Sequence, residues 1–201
     1  DRKIKTRPIK GTMPRFDDAE QDRISKAKLR NSQKDQAENV MIVDLVRNDL
    51  SKVAQKGTVK VDELFGVHTF ASVHQMISSV SCRLQPDAGF ASVLKATFPM
   101  GSMTGAPKIS AMKIIDKLEG FKRGMFSGTI GFFAPGGYFD FNVVIRTICL
   151  DLENKLATVT AGGAITIHCD LESEWQECLL KLKPQLHALG IPIEEAFILQ
   201  A

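Results

Sequence analysis

The fold class is decided by one stretch, FSGTIGFFAPGGYFDFNVVIRTICLDLENKLATVTA, residues 126–161. It contains three segments rich in β-branched and aromatic residues, which predict strands. Short connections around Pro135-Gly136-Gly137 and Leu152-Glu153-Asn154 separate them, and connections of this length join antiparallel neighbours. The predicted strands cover residues 126–133, 138–150 and 155–161. The stretch therefore predicts an antiparallel sheet.

The rest of the chain mixes helical and strand patterns without strict alternation, so we expect an α+β fold with a largely antiparallel sheet and flanking helices. Asp17 and Ser32 are placed to cap the first two helices, and Gly190 follows the last. The second helix is apolar on most sides and is predicted to be deeply packed. Residues 1–16 are expected to be extended. Predicted helices cover residues 18–31, 33–50, 89–98, 107–118 and 171–189, and further strands cover 58–67 and 73–84.

Composition narrows the class of protein. The 201 residues suffice for one domain with its own core, and 44% hydrophobic with 24% charged residues is typical of a globular protein. A net charge of +3 is too small to indicate that the protein binds nucleic acid. The sequence has neither an apolar leader nor a long apolar run, so it gives no sign of a membrane partner. Four cysteines without metal-ligand spacing favour reduced thiols in the cytoplasm. The chain opens on charged residues without methionine, so we expect residues 1–201 to be one domain of a longer protein.

Two pairs of acids stand three residues apart on predicted helices. Asp35 and Glu38 share one helix face, and Glu174 and Glu177 share another. Together they offer the oxygen ligands that Mg²⁺ takes, usually one or two carboxylates completed by water and anionic substrate. A second interpretation stays open, because acids favour helix N-termini and Glu177 can form a surface ion pair with Lys181.

Several other groups are candidates for binding an anion or a polar substrate. Arg146 lies in a predicted apolar strand, where it needs either an anion or an internal salt bridge. Gly162 and Gly163 let backbone N–H groups approach an anion, although a plain turn is the commoner use. Lys108, at the start of a predicted helix, is either an anion donor or a solvated lysine. His74 is either a hydrogen-bonded sheet histidine or a proton donor.

In order along the chain, seven motifs resemble those of the chorismate-utilising enzymes, which have an anthranilate synthase-like fold. The resemblance covers the C-terminal half of that fold and implies that its N-terminal half is missing from the chain. The motifs are Pro8-Ile9-Lys10-Gly11-Thr12, Glu38-Asn39, Asp44-Leu45-Val46-Arg47-Asn48-Asp49, Gly105-Ala106-Pro107-Lys108, Ile145-Arg146-Thr147, Ala161-Gly162-Gly163 and Glu174-Trp175-Gln176-Glu177.

The resemblance also implies roles for single residues. Glu38 and Glu177 would hold Mg²⁺, which grips the ring carboxylate of chorismate, and Asp35 and Glu174 would be their neighbours. The remaining roles concern substrate contacts. Arg146 with the Gly162-Gly163 backbone would bind the pyruvyl carboxylate, Lys181 would lie near the carboxylate held by the metal, Thr104 would hydrogen-bond the substrate, and His74 would assist departure of the ring hydroxyl as an acid.

Lys10 distinguishes branches of this family. A lone lysine is usually a solvated surface charge, but the anthranilate branch usually has alanine at this position. The resemblance therefore implies the branch that aminates chorismate at C4. Lys10 would attack C2 as the hydroxyl leaves, and ammonia from a fused or separate glutamine amidotransferase would then enter, on the route to p-aminobenzoate and folate.

Three alternatives stay open. In the first, the chain is part of anthranilate synthase component I or of another chorismate-utilising enzyme, and analysis of the reaction product would decide between these and the amination of chorismate at C4. In another class, it is a basic domain that binds without catalysis, for which lysines and arginines should cluster on one face among aromatic residues. Lastly, the chain is a stable core that has no activity without its other half.

Overall fold

The computed structural model describes residues 2–165 and 169–193. The chain divides into two compact units, Asp1–Asp116 and Lys117–Ala201. Each combines helices with antiparallel strands, so the α+β prediction is confirmed. That residues 1–201 act as one domain stays a prediction. No helix within the described ranges is long and apolar enough to span a membrane.

The first unit is built around one long strand, β4 (Val73–Arg83). The strand β3 (Lys60–Thr69) pairs with it along most of its length, and β1 (Lys3–Thr6) and β2 (Ile9–Pro14) pair with its two ends. All three pairings are antiparallel. A central strand surrounded by pairing partners explains why ten residues of β4 are buried or half-buried.

Two helices, α1 (Ala19–Arg30) and α2 (Gln33–Ser51), contact this sheet through alternate residues of β4. The His74 ring reaches Asp22 of α1, and the Ser78 hydroxyl donates to the Asn39 side chain of α2 at 2.5 Å. The face that carries these polar contacts also carries the apolar core. The core cluster consists of Val43, Leu50, Ala54, Val80 and Cys82.

Helix caps agree with the sequence in one case and differ in the other. Ser32 caps α2 as predicted, its Oγ accepting from the Asp35 amide at 3.3 Å. Asp18, and not Asp17, caps α1, because its extended backbone brings Oδ1 to 2.8 Å from the Gln21 amide.

The packing of α2 differs between its faces, and the prediction that α2 is deeply packed holds for one face only. Ile42 and Val43 are buried, whereas Val40 and Met41 are 41% and 39% exposed.

After the sheet, the first unit continues through α3 (Phe90–Thr97), a 3₁₀ turn (Gly101–Met103) and α4 (Lys108–Leu118). These match the two helices predicted there. The turn and α3 both contact α2. Residues 98–107 therefore form a segment between two helices and beside a third.

The second unit contains two hairpins and a long helix. The strand β5 (Thr129–Phe133) pairs with β6 (Phe139–Val143), and β7 (Ile148–Asp151) pairs with β8 (Leu156–Val159), all antiparallel. The helix α5 (Leu171–Ala188) begins after its cap, Asp170, whose Oδ2 accepts from the Ser173 amide at 2.8 Å.

One predicted strand, residues 138–150, is wrong as a continuous element and divides into β6 and β7. The Ile145 amide donates to the Val143 carbonyl at 3.0 Å, a tight turn that ends β6. Arg146 follows with φ of +53°, a left-handed conformation outside the extended range of regular strand residues. Arg146 therefore lies in a connection between strands.

Candidate functional site

Lys10 and Glu38 meet at the centre of the first unit's candidate site. Nζ of Lys10 lies 3.5 Å from Oε2 of Glu38, and the two side chains are 21% and 26% exposed. Lys10 belongs to β2 and Glu38 to α2, one turn beyond Asp35. The predicted nucleophile and the predicted metal ligand are thus in contact, and both side chains are half-buried.

A bulge in β2 presents Lys10. Ile9 lies opposite Ile77, but Thr12 lies opposite Gln75. Between these two pairs β2 advances by three residues and β4 by two, so β2 has one extra residue. Gly11 has φ of +88°, which favours glycine. The bulge breaks the ordinary alternation of side chains between Ile9 and Thr12, where Lys10 lies.

Gly11 also brings α1 and α2 close to β2. A Cβ atom at this position would lie 2.9 Å from Cγ and Oδ1 of Asp35 and 2.9 Å from Cδ1 of Leu29. A side chain at residue 11 would displace the Asp35 carboxylate. Glycine therefore lets Asp35 lie against the strand, one turn from Glu38.

His74 is fully buried, and both of its ring nitrogens have partners inside the protein. Nε2 lies 2.9 Å from Oδ1 of Asp22, and Nδ1 lies 3.0 Å from Oγ1 of Thr69. An ionised carboxylate can only accept, so Nε2 donates to Asp22 and Nδ1 accepts from the threonine hydroxyl when the ring is neutral. The sheet-histidine interpretation accounts for these contacts, and the role of His74 as an acid stays a prediction.

Asp22 is held as an anion by several donors at once. Burial raises its pKa, but hydrogen bonds from the Phe16 amide, the Arg15 guanidinium and His74 outweigh that effect and lower the pKa from 3.8 to about 2. The Phe16 amide and Nε of Arg15 lie 3.1 and 2.8 Å from Oδ1. Asp22 therefore joins α1 to the end of β2 and to β4. Sequence reasoning missed it, because no motif marks a partner 52 residues from His74.

Thr104 closes the 3₁₀ turn that precedes α4. Its hydroxyl lies 3.3 Å from the Met100 carbonyl and 3.4 Å from the Gly101 carbonyl, and it is half-buried. The hydroxyl oxygen keeps its capacity to accept a hydrogen bond. Its predicted contact with substrate fits this geometry.

In the second unit, α5 brings three predicted residues to the glycine turn after β8. Lys181 donates through Nζ to the Gly162 carbonyl at 2.9 Å, and the same nitrogen lies 2.6 Å from Oε1 of Glu177. A Cβ atom at Gly163 would lie 2.8 Å from Oε2 of Glu174. The two glycines, both acids and the lysine thus gather at one place in the second unit.

Arg146 of the second unit is exposed, and its side chain has no hydrogen-bond or ion-pair partner within residues 2–165 and 169–193. The internal salt bridge that the sequence left open is not found in that part of the chain. A guanidinium without a partner suits an anionic ligand. The N–H groups of Gly162 and Gly163 likewise have no partner in the described ranges.

The donors suit a magnesium ion that relies on substrate for part of its coordination. Over the described ranges, no cluster of three or more histidine, cysteine, aspartate or glutamate side chains could hold a metal by itself. Each unit instead offers one pair of acids, Asp35 with Glu38 and Glu174 with Glu177. Mg²⁺ commonly uses one or two carboxylates and keeps its other positions for water and anions. Convergence of Glu38 and Glu177 on one ion stays a prediction.

Comparisons with known proteins show the family of the chain. A family model described as chorismate binding enzyme matches residues 1–187. Component 1 of aminodeoxychorismate synthase from Klebsiella aerogenes is 46% identical over 186 residues, which cover 92% of this chain and 41% of that protein. Anthranilate synthase component 1 from Saccharolobus solfataricus is 44% identical over 188 residues, covering 94% of this chain and 44% of that protein.

A solved structure extends the comparison. The crystal structure of anthranilate synthase component I from Streptococcus pneumoniae superposes with a TM-score of 0.79 at 36% identity, over 91% of this chain and 40% of that one. The predicted anthranilate synthase-like fold is confirmed. The chain spans less than half the length of each of these relatives.

Proposed function

Since the chain belongs to the family of chorismate binding enzymes, we propose that it is part of component 1 of an aminodeoxychorismate synthase. The enzyme would convert chorismate and ammonia to 4-amino-4-deoxychorismate and water, in the synthesis of p-aminobenzoate and folate. One observation carries the proposal. Lys10 stands on the bulge of β2 with its amine 3.5 Å from Glu38, and its side chain is half-buried.

The reaction proceeds in two substitutions. The neutral amine of Lys10 forms a bond to C2 of the ring while the C4–O bond breaks, and the hydroxyl leaves with a proton as water. Ammonia then forms a bond to C4, and the C2–N bond to the lysine breaks. The lysine is regenerated, and the enolpyruvyl group stays on the ring throughout.

His74 is the proposed acid for the departing hydroxyl. Its ring is held by Asp22 and Thr69, so contact with the substrate requires that one of these hydrogen bonds be exchanged. Thr104 is proposed to hydrogen-bond the ring substituents. Both residues belong to the unit that carries Lys10.

The second unit supplies donors for the two carboxylates of chorismate. Arg146 and the N–H groups of Gly162 and Gly163 are proposed to bind the pyruvyl carboxylate, and Lys181 the ring carboxylate. Glu38 and Glu177 are proposed to hold Mg²⁺, with Asp35 and Glu174 beside them. When bound, the ion would neutralise the ring carboxylate and polarise the ring.

Ammonia is proposed to come from a glutamine amidotransferase partner. All four cysteines are free thiols. Burial raises the pKa of Cys82 and of Cys178, so neither is poised as the thiolate that glutamine hydrolysis needs. The thiols are consistent with a reducing compartment, and we propose the cytoplasm.

Anthranilate synthase is the second candidate, favoured by the relative at 44% identity and by the superposed structure. The two activities differ in a side product, because only aromatisation to anthranilate releases pyruvate. The test incubates the full-length protein with chorismate, ammonium and Mg²⁺. Formation of the amino product without pyruvate supports the proposal, and anthranilate with equimolar pyruvate overturns it.

A further inference from the structure

Near the end of α2, Asp49 lies between two lysines. Its carboxylate is 6% exposed, with Nζ of Lys52 at 3.0 Å from Oδ1 and Nζ of Lys108 in contact with Oδ2. The two lysines differ in burial. Lys52 is 51% exposed, whereas Lys108 is 12% exposed. Because a buried charge is costly unless it is paired, the contact between Asp49 and Lys108 is a specific feature of the fold.

Lys108 also closes the segment of residues 98–107. Its Nζ donates to the carbonyl of Thr97, the last residue of α3, at 3.3 Å. Lys108 is itself the first residue of α4. One ammonium group therefore joins both ends of the segment and ties them to Asp49 of α2.

The middle of the segment rests on the same face of α2. Gly101 is buried, and a Cβ atom there would lie 2.9 Å from Cδ1 of Leu45. Leu45 precedes Asp49 by four residues, so the two side chains lie on one face of the helix. The segment thus touches α2 at Gly101 and is tied to it at its base, and Thr104 lies between these points.

We propose that Lys108 and Asp49 form a clasp that positions the segment of residues 98–107 and holds Thr104 in place for the substrate. Lys108 is a positioning residue here, because its ammonium group binds the Asp49 carboxylate and the Thr97 carbonyl. The proposal rests on the proposed function in one respect, that Thr104 contacts chorismate. The clasp itself depends only on contacts within the first unit.

The test uses Lys108→Gln in the full-length protein. Amide hydrogen exchange over residues 98–107 should become at least tenfold faster, with exchange in α3 unchanged. The KM for chorismate should rise about tenfold while kcat changes less than twofold, because a contact made in both ground and transition states affects KM alone. Lys108→Arg, which keeps the cation, should recover most of the loss.

Lys52→Gln is the matched control, since it removes the other partner of Asp49 without touching the segment. It should leave the exchange and KM unchanged. If Lys108→Gln does not fold, Lys108→Gln with Asp49→Asn carries the test, because this double variant leaves no unpaired buried charge and frees only the exposed Lys52. It should show the same faster exchange over residues 98–107.

Unchanged exchange in a folded Lys108→Gln protein would overturn the clasp, as would an equal effect of Lys52→Gln. Faster exchange with an unchanged KM would overturn the positioning of Thr104. If the wild-type protein gives no amino product, the proposed function fails, while the exchange measurement still decides the clasp.

Discussion

Asp22 holds the buried ring of His74, with Oδ1 2.9 Å from Nε2. The two residues come from α1 and β4, so the hydrogen bond joins the outer helix to the central strand. Asp22 also accepts from the amide of Phe16, two residues after the end of β2. A single carboxylate oxygen thus joins α1, β4 and the connection that follows β2.

Asp22→Asn should make the protein less stable at pH 7 and less sensitive to acid. The pKa of Asp22 in the fold, about 2, lies below its ordinary value of 3.8. Its stabilising effect is therefore complete above pH 4 and is lost as the pH falls through 2. Thermal unfolding from pH 7 to 2 measures this. Asp17→Asn, at an exposed neighbour, is the control and should follow the wild type.

Lys10→Ala should abolish a covalent intermediate and leave the fold intact. In the wild-type protein, chorismate without ammonia should add the mass of chorismate less one water to the peptide that contains Lys10. Added ammonia should then release the adduct from Lys10 as the amino product. The ion pair with Glu38 contributes about 1 kcal/mol or less to folding, so the melting temperature should change little. Lys5→Ala, at an exposed lysine of β1, should keep the adduct. Normal formation of the amino product with alanine at position 10 would instead mean direct attack by ammonia.

Gly11→Ala should destabilise the protein and impair the site. The left-handed conformation of residue 11 would cost an alanine about 1–2 kcal/mol of folding free energy. Its Cβ atom would also collide with the side chains of Asp35 and Leu29, which lie 2.9 Å from that position. Gly57→Ala separates the two effects, because Gly57 has φ of +76° with nothing within 4 Å of the added Cβ. Denaturant unfolding should show a larger loss for residue 11. Equal losses would show that the close approach of Asp35 has no energetic weight.

Arg146→Ala should weaken chorismate binding without destabilising the fold. A charge-assisted contact is worth about 1.5–3 kcal/mol, so KM should rise at least tenfold. The exposed side chain has no partner in the described ranges, and the melting temperature should not change. Arg47→Ala, which removes an exposed ion pair with Asp44, is the control. An unchanged KM would remove Arg146 from the anion site.

Glu177→Gln should raise the concentration of Mg²⁺ needed for half-maximal activity by at least tenfold, because it removes one of two proposed carboxylate ligands. Glu172→Gln, on the first turn of the same helix, is the control. Titration of activity with Mg²⁺ after removal of divalent ions by a chelator makes the measurement. An identical titration for Glu177→Gln and wild type would exclude Glu177 as a ligand.

The sequence predicted most of what depends on local chemistry. The Ser32 cap and the antiparallel hairpins follow from turn and cap residues, and the ion pair of Glu177 with Lys181 follows from their spacing of four residues on a helix. The bulge at Gly11 is equally local but was not foreseen, because a lone glycine marks many kinds of turn.

The features that the sequence did not predict depend on residues far apart in the chain, or on which of two adjacent residues adopts a given backbone conformation. Lys108 offered two interpretations, an anion donor or a solvated lysine, and it is instead paired with the buried carboxylate of Asp49, 59 residues away. Arg146 sits in a run with strand composition, yet the turn at Val143–Ile145 ends the strand before it. Asp17 and Asp18 are chemically alike, and only backbone geometry selects Asp18 as the cap.

The bulge of β2 has a consequence for how this site can change over generations. Its extra residue, and not the packing of the lysine, determines where the side chain at position 10 emerges. A single-codon deletion there would shift the register and turn neighbouring side chains to the opposite face. A substitution at position 10 would leave the strand in place and alter only the reactive group. The bulge is thus intolerant of insertions and deletions but permissive to substitution at position 10, a combination that lets one fold acquire new reactions.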